Sequence, residues 1–329
     1  MTDTFQALML TQDDERNTHS AIQHITIDDL PEGDILVKVD YSSLNYKDGL
    51  AITGSVPVVR NFPMIPGIDF AGTVAASTSD KFVEGDAVIL TGWGVGEKHW
   101  GGHAEYARVP ADYLVPLPAG LSTEQAMIIG TAGFTAMMAV MALQQHQITP
   151  DMGDILVTGA SGGTGSMAIA ILALLGYDVV ASTGREELAD YLKSIGAKEV
   201  IGRLDAPTRP LAKTRWAGAI DSVGGDTLTA ILPEVHYGGS VACFGMAGGS
   251  DFTASVYPFI LRGVNLLGID SVMCPTDYRI TVWEQIADLI RDERFDAIKQ
   301  IEPLSAVPQL AVDILAGQVR GRIVIDVNQ

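Results

Sequence analysis

The sequence predicts an α/β protein in which a β-rich module precedes a doubly wound parallel sheet. Three observations support this prediction. Short strand-like segments separated by Gly and Pro fill the first third of the chain, and apolar strand-like and helix-like segments alternate after about residue 150. The 329 residues, 47% of them hydrophobic, can bury a large core and suggest about two domains. Strands that alternate with helices are typical of a parallel sheet covered on both faces.

The first module is predicted from its short, evenly spaced strands. Each candidate strand is apolar or alternates apolar and polar residues, and Gly or Pro lies between one and the next. This pattern is typical of a small barrel or sandwich. The candidate strands are residues 34–44, 66–75, 85–94, 103–109 and 113–118.

The helical character begins near residue 121. Ser122 and Gln125 have the spacing of a capping box before a long apolar helix. A sustained β-α alternation follows, and the tail adds two amphipathic helices and a final strand, GRIVIDV. We therefore predict a β-rich module at 1–122, an α/β domain of the dinucleotide-binding type at 123–295, and a return of the last segment, 296–329, to the first module.

Composition and charge exclude several classes of function. The chain has 40 Asp and Glu against 21 Lys and Arg, a formal net charge of −19, which disfavours nucleic acids and anionic membranes as partners. The two cysteines, Cys243 and Cys274, are too few for a disulfide framework or a thiolate zinc cluster. The first residues lack the pattern of a secretory signal, and no run of 18 apolar residues occurs. We expect a soluble, cytoplasmic protein.

A glycine-rich turn between a predicted strand and a predicted helix indicates a dinucleotide site. Gly163, Gly165 and Ala168 fit the G-x-G-x-x-G/A pattern, in which glycines let the backbone approach a pyrophosphate at a helix N-terminus. The alternative is a glycine-rich turn that binds nothing. The strand before it and the chain of β-α units after it favour cofactor binding. The predicted loop contacts are Ser161, Gly162, Gly163, Thr164 and Gly165.

The end of the next predicted strand favours NADPH over NADH. NAD sites usually place a carboxylate there for the ribose hydroxyls. This chain instead has Ser182, Thr183, Gly184 and Arg185, which suit a 2′-phosphate, and Arg203 could add a second positive charge. The alternative is that Arg185 is a surface residue beside two glutamates.

Several longer segments resemble a known family. The chain is similar to the medium-chain dehydrogenase/reductase superfamily, and its GASGGTG turn resembles the quinone-oxidoreductase branch. Within that branch, four blocks resemble the acryloyl-CoA reductase (AcuI/YhdH) group. The resemblance implies a GroES-like barrel domain and a Rossmann domain. The blocks are SSLNYKDGLAITG, RNFPMIPGIDFAGTV, GWGVGEKHWGGHAEYARV and MIIGTAGFTAMMAVMAL.

The zinc ligands of related enzymes are replaced in this sequence. Asn45 stands where those relatives have a cysteine, Ile68 where they have a histidine, and Asp69 where they have a glutamate. Catalytic zinc needs about three protein ligands, so we predict no metal. Reduction of an already polarised C=C bond is then more plausible than oxidation of an alcohol.

The resemblance implies hydride transfer to C3 of an α,β-unsaturated acyl-CoA, which becomes an enolate and takes a proton at C2. We predict Tyr46 beside the nicotinamide and Asn45 as a donor to the substrate carbonyl; an aromatic plug and a turn cap are their structural alternatives. Thr131, Met246 and Ser271 are predicted to approach the nicotinamide, although each could serve packing alone.

For the substrate we predict Arg60, near the CoA phosphates, and Trp100, in a glycine-rich loop. Two other functions stay open: an NADPH quinone reductase and a noncatalytic NADPH-binding protein. The resemblance also implies a homodimer, formed by edge pairing of the strand VNLLGID.

Overall fold

The computed structural model describes residues 4–205, 207 and 209–329. The chain divides into two compact units, which are described separately below. The first comprises Met1–Thr131, Ser271–Ile290 and Lys299–Gln329, and the second comprises Ala132–Asp270 and Arg291–Ile298.

The protein contains nine α-helices and fifteen strands in its described residues. In chain order they are β1 (Thr4–Gln12), β2 (Thr18–Thr26), β3 (Ile35–Leu44), α1 (Tyr46–Thr53), β4 (Asp69–Ser77), β5 (Ala87–Thr91), β6 (Tyr106–Val109), β7 (Leu114–Pro116), α2 (Thr123–Gln145), β8 (Ile155–Val157), α3 (Gly163–Leu174), β9 (Val179–Ser182), α4 (Ala189–Ser194), β10 (Glu199–Ile201), β11 (Trp216–Asp221), α5 (Gly225–Ile231), β12 (Val235–Cys243), α6 (Tyr257–Arg262), β13 (Asn265–Gly268), α7 (Thr276–Leu289), α8 (Glu293–Ile298), β14 (Lys299–Pro303), α9 (Val307–Leu315) and β15 (Arg322–Asp326).

The first unit contains a β1–β2 hairpin and a larger sheet with the order β14-β15-β3-β4-β5-β7, in which β6 also pairs with β3. Its pairs are antiparallel except β14–β15, which is parallel and is connected through α9. A parallel pair requires such a crossover. Apolar side chains of β3, β5, α9 and β15 form one buried cluster, so the C-terminal strands complete the N-terminal sheet.

The second unit is a six-stranded parallel sheet with the order β10-β9-β8-β11-β12-β13. The strand order reverses between β8 and β11, which is the arrangement of a Rossmann fold. Strand β8 is wholly buried, and α3 is buried from Gly165 to Leu172. A sheet covered on both faces needs such continuous apolar strands, and the predicted doubly wound fold is confirmed.

The helix α2 begins where the sequence predicts it. Ser122 N–H donates to Gln125 Oε1 (3.0 Å), and Gln125 N–H donates to Ser122 Oγ (3.1 Å), so the predicted capping box is present. The helix bends at Gly130, whose φ of 48° and ψ of −160° are not helical. Its length and mean hydropathy would allow it to cross a membrane, but most of it is buried within the protein, as in a core helix.

Some elements differ from the sequence-based expectation. The β1–β2 hairpin and α1 were not predicted, and Tyr46, capped by Asn45, begins a helix where only a turn was expected. The segment Ser271–Ile290, expected in the nucleotide-binding domain, belongs to the first compact unit. Arg279 of α7 explains this: its buried guanidinium donates to Thr91 O and Thr91 Oγ1, both at 2.8 Å, and so joins α7 to β5.

Candidate active site

In the second unit, the glycine-rich turn lies between β8 and α3. Gly159 has φ 57°, and a Cβ there would collide with the Ser222 side chain. Gly165 packs directly on the backbone of Gly159 and Ala160, so it too must lack a side chain. Gly162 caps α3, and the first N–H groups of that helix have no partner within the helix. This end of α3 can bind an anion through N–H groups and the helix dipole.

Three predicted residues meet beside this turn, at the carboxyl end of β9. Arg185 Nε and Nη2 both donate to Ser161 Oγ, at 3.1 and 2.7 Å, and Nη2 also donates to Ser161 O at 3.2 Å. Thr183 Oγ1 lies 3.2 Å from Ser161 Oγ and accepts the Arg185 N–H at 3.1 Å. The hydroxyls and the guanidinium therefore form one preorganised donor cluster that suits a phosphate.

Arg203 joins the same cluster through Gly184. A Cβ on Gly184 would lie only 2.5 Å from Arg203 Nε, so the guanidinium rests against the bare glycine backbone. Partial burial lowers the pKa of Arg185, but a guanidinium stays charged at neutral pH. Ser182 faces elsewhere, since its hydroxyl donates to Gly202 O at 2.9 Å. Two positive charges thus flank the end of β9.

Two other predicted residues of the second unit, Thr164 and Met246, occupy different positions. Thr164 follows Gly163 in the first turn of α3 and is half-buried. Met246 lies beyond the carboxyl end of β12, in a loop that Gly245 packs onto Ser222, and its side chain is largely exposed.

In the first unit, Asp69 is the centre of a buried polar network. Its Oδ1 accepts the hydroxyl of Ser43 (2.5 Å), and its Oδ2 accepts the Asn45 amide (2.9 Å) and the Thr131 N–H (2.7 Å). Ser43 and Asp69 have no exposed surface, and Asn45 has little. The carboxylate therefore fixes the amide of Asn45 and the backbone of Thr131 in place.

Arg322 supplies the positive charge of this network. The side chain is buried, with Nη2 donating to Ser43 Oγ (2.6 Å), Nη1 to Asn45 Oδ1 (3.2 Å) and Nε to Ile128 O (3.0 Å). Burial lowers its pKa, while the carboxylates of Asp69 and Asp48 act in the opposite direction. Arg322 was not among the predicted site residues. Its signal in the sequence is an arginine directly before the apolar run Ile323–Ile325 of the last strand.

Asp48 ties the start of α1 to the next loop. Its carboxylate accepts the N–H groups of Asn45 (2.9 Å), Gly67 (3.1 Å) and Ile68 (3.0 Å). Complete burial and the nearby Asp69 raise the pKa of Asp48 to about 7, against the effect of these N–H donors. Asn45 and Asp48 together cap α1, so that Tyr46 is its first residue and has 45% of its surface exposed.

The remaining predicted residues of the first unit lie in three different surroundings. Ser271 is half-buried, and its carbonyl accepts a hydrogen bond from Arg279 Nη2 at 3.3 Å, which anchors its loop. The Trp100 indole N–H donates to Pro63 O at 3.0 Å, and its ring packs on the apolar core. Arg60 lies on the wall of a cavity.

Comparison with known proteins places these features in a family. Residues 31–119 match the model of the alcohol dehydrogenase GroES-like domain, and residues 163–291 match the model named zinc-binding dehydrogenase. The chain is 53% identical to acrylyl-CoA reductase AcuI of Ruegeria pomeroyi, over 98% of this chain and 99% of that protein. It belongs to the medium-chain dehydrogenase/reductase superfamily.

Two solved structures of other superfamily members are similar over nearly the whole chain. YhdH of Escherichia coli, crystallised with NADPH, has a TM-score of 0.96 and 52% identity, over 98% of this chain and all of that one. YhfP of Bacillus subtilis, crystallised with NAD, has a TM-score of 0.95 and 47% identity, over 99% of this chain and all of that one. The same Bacillus protein bears the name putative quinone oxidoreductase and is 48% identical over 99% of both chains.

This member of the superfamily does not fit the zinc ion that the second family model's name implies. Where its relatives would hold the metal, Asn45 and Asp69 bond to each other, and the Arg322 guanidinium lies against Asn45 Oδ1. A buried guanidinium beside the Asp69 carboxylate opposes a divalent cation, and an amide is a poor zinc ligand. Among the described residues no group of three or more His, Cys, Asp or Glu could hold a metal ion.

Proposed function

We propose that this protein is an NADPH-dependent reductase of the C=C bond of a short α,β-unsaturated acyl-CoA, with acryloyl-CoA converted to propanoyl-CoA. The observation that carries the reaction class is Arg322, buried beside Asn45 and Asp69 where zinc-dependent relatives would hold a metal. Without a Lewis acid, reduction of a conjugated double bond is more plausible than oxidation of an alcohol. The similarity to acrylyl-CoA reductase AcuI of Ruegeria pomeroyi over nearly the full length supports the substrate class.

The donor cluster at the end of β9 supports NADPH as the reductant. Arg185, Arg203, Ser161 and Thr183 would hold the 2′-phosphate, and the first turn of α3 would hold the pyrophosphate. When bound, the cofactor would supply a hydride, that is one proton with two electrons, to C3 of the substrate. A solvent-derived proton added at C2 completes the reduction.

We assign to Tyr46 the stabilisation of the negative charge that develops on the thioester oxygen. Its phenol stands at the first turn of α1, and its exposure leaves the side chain accessible to a ligand. Asn45 contributes to the same step by positioning Tyr46, because its amide group is already hydrogen-bonded to Asp69 and Arg322. The network thereby fixes the start of the helix that carries Tyr46.

The test of the proposed function is an anaerobic assay of NADPH oxidation with three acceptors: acryloyl-CoA, crotonyl-CoA and a benzoquinone. We expect the highest kcat/KM with acryloyl-CoA and stoichiometric propanoyl-CoA. Fast turnover of the quinone without turnover of the CoA esters would overturn the proposal in favour of a quinone reductase. NADPH binding with no turnover of any acceptor would make the protein a noncatalytic binder.

The role of Tyr46 gives a second expectation. Tyr46→Phe removes one hydrogen bond to the developing enolate, so kcat should fall about ten- to a hundred-fold while KM for NADPH changes little. Single-turnover kinetics with acryloyl-CoA would measure the change. An unaltered kcat would remove the hydroxyl from the mechanism.

We also propose that the protein acts as a homodimer in the cytoplasm. In the described part of the chain β13 has a strand partner only in β12, so its other edge is open. Exposed apolar side chains of α6, including Ile260 and Leu261, precede that edge in the chain. An open edge with apolar neighbours favours pairing with a second copy.

A further inference from the structure

A cavity of about 440 Å³ lies in the first unit, at the end of α1 remote from Tyr46. The β1–β2 turn, the C-terminus of α1 and the loop after it form its walls. A Cβ on Gly54, the residue that ends α1 with φ 66°, would collide with Thr18 of β2, so the helix and the hairpin are in close contact here. Besides these two residues, the lining includes Gln12, Arg16, Arg60 and Phe62.

Two of the 21 basic residues of this acidic chain line the cavity. Arg16 and Arg60 are both exposed, and within the described residues neither guanidinium forms an ion pair. Neighbouring Asp13 is used by the turn itself: its carboxylate binds the N–H groups of Glu15 and Asn17 and the His19 ring. Unpaired guanidinium groups in a concave site are available to a phosphate.

The cavity is also at a suitable distance from the reacting end of the proposed substrate. Helix α1 has eight residues, so its two ends are about 12 Å apart at 1.5 Å per residue. Tyr46 and the buried network mark the first end, and Ala51 and Gly54 line the cavity at the other. An extended pantetheine arm is long enough to follow the helix from one end to the other.

We infer that this cavity binds the nucleotide part of the CoA substrate, with Arg16 and Arg60 contacting its phosphates and the half-buried ring of Phe62 available for the adenine. The inference rests on the proposed function, since it presupposes an acyl-CoA substrate. It adds Arg16 to the substrate residues, which the sequence did not suggest, and it accounts for Arg60. Remote binding of this kind fixes the thioester without taking part in the chemistry.

The test compares acryloyl-CoA with acryloyl-pantetheine, which lacks the nucleotide. Arg60→Ala and Arg16→Ala should each raise KM for the CoA ester about ten-fold, and should leave kcat/KM for the pantetheine ester unchanged. Arg291→Ala, an exposed arginine in the second unit, is the matched control for the loss of one charge. If both esters lose activity equally, or if neither is affected, the inference is overturned.

A binding experiment separates this inference from the proposed function. With the cofactor site saturated by NADP⁺, adenosine 3′,5′-bisphosphate is titrated into wild-type protein and into Arg60→Ala by calorimetry. We expect one binding site, with a dissociation constant about ten-fold higher in the variant than in the wild type. Failure of the wild type to reduce either ester, with this binding retained, would refute the proposed function but leave the cavity as a nucleotide site. Absence of binding to the wild type would refute the cavity's role.

Discussion

Arg185 is the side chain on which we expect the choice of cofactor to depend. Ser161 holds it through three hydrogen bonds of 3.1, 2.7 and 3.2 Å before any ligand arrives, so little ordering is needed on binding. Arg185→Ala should raise the dissociation constant of NADPH by about ten- to a hundred-fold, which corresponds to the loss of a hydrogen bond to a charged group. The dissociation constant of NADH should stay within about two-fold, because NADH has no 2′-phosphate. Fluorescence titration with both nucleotides measures this, and equal losses would remove Arg185 from the phosphate site.

His103 makes the first unit sensitive to acid. The ring is wholly buried, and Nδ1 lies 3.0 Å from Ser42 Oγ, which itself donates to Asp69 O at 2.7 Å. Nδ1 must therefore be the donor. The buried Nε2 has no hydrogen-bond partner among the described residues, so the neutral ring is favoured. Burial lowers the pKa of His103 to about 3.

The sign of the pH effect follows from that lowered pKa. Below about pH 6.5 the unfolded chain takes up a proton on His103 that the folded protein refuses, so this stabilisation is present above pH 6.5 and is lost as the pH falls towards 3. Between pH 7 and pH 5 the wild type should lose about 2 kcal/mol more than His103→Gln in urea unfolding. His146→Gln, at an exposed histidine, is the control and should behave as the wild type. Parallel pH profiles for all three proteins would contradict the assignment.

The candidate site residues that could be predicted from the sequence lie close to local sequence patterns. Ser161, Thr183 and Arg185 are close in sequence to strand ends, where a Rossmann pattern already fixes their position. Arg322 was missed because it meets Asn45 across 277 residues of chain, through the pairing of β15 with β3. No local pattern encodes such a contact. The same holds for Arg16, which joins Arg60 only through the packing of a hairpin that was not predicted.

At the scale of elements, the bend of α2 at Gly130 makes room for the buried network. A Cβ there would collide with the Arg322 guanidinium and lie 2.8 Å from both Asp69 Oδ2 and Ser43 Oγ. Gly130→Ala should therefore cost about 2–4 kcal/mol of unfolding free energy and reduce kcat as well, since strained backbone and collision act together. Gly317→Ala, at φ 70° with open space around it, should cost only about 1 kcal/mol and leave kcat unchanged. Equal effects in urea unfolding would mean that the network tolerates the methyl group.

Helices and strands could be predicted where the hydrophobic pattern extended over many residues or where Gly and Pro clearly marked the ends. The parallel strands and α3 were found because a wholly buried apolar segment between glycines has few other interpretations. Helix α1 was missed because its eight residues contain Gly49 and only a short apolar stripe. Its stability comes from tertiary bonds instead: Asp48 joins it to Gly67 and Ile68, and Gly49 lets it approach α9 closely. Such stabilisation is invisible in local propensity.

At the scale of the whole molecule, the net charge of −19 coexists with two anionic ligands, NADPH and a CoA ester. The long-range field repels both, while we expect Arg185, Arg203 and the two cavity arginines to attract them at short range. Salt screens the distant repulsion more than these close contacts. The charge therefore bears on solubility and association rate, and the few basic side chains in concave sites decide what is bound.

The open edge of β13 suggests how two copies of the protein would assemble. Tyr257, Ile260 and Leu261 expose 48%, 68% and 56% of their surfaces on the short helix α6, just before that strand. In a dimer these side chains would be covered, so Ile260→Glu should place a charge in the interface and shift the protein to monomers. Val83→Glu, at a residue with 63% exposure in the first unit, is the matched control and should stay dimeric. Sedimentation velocity at several protein concentrations distinguishes the two: a wild type that is monomeric throughout, or an Ile260→Glu variant as dimeric as the control, would exclude this face from assembly.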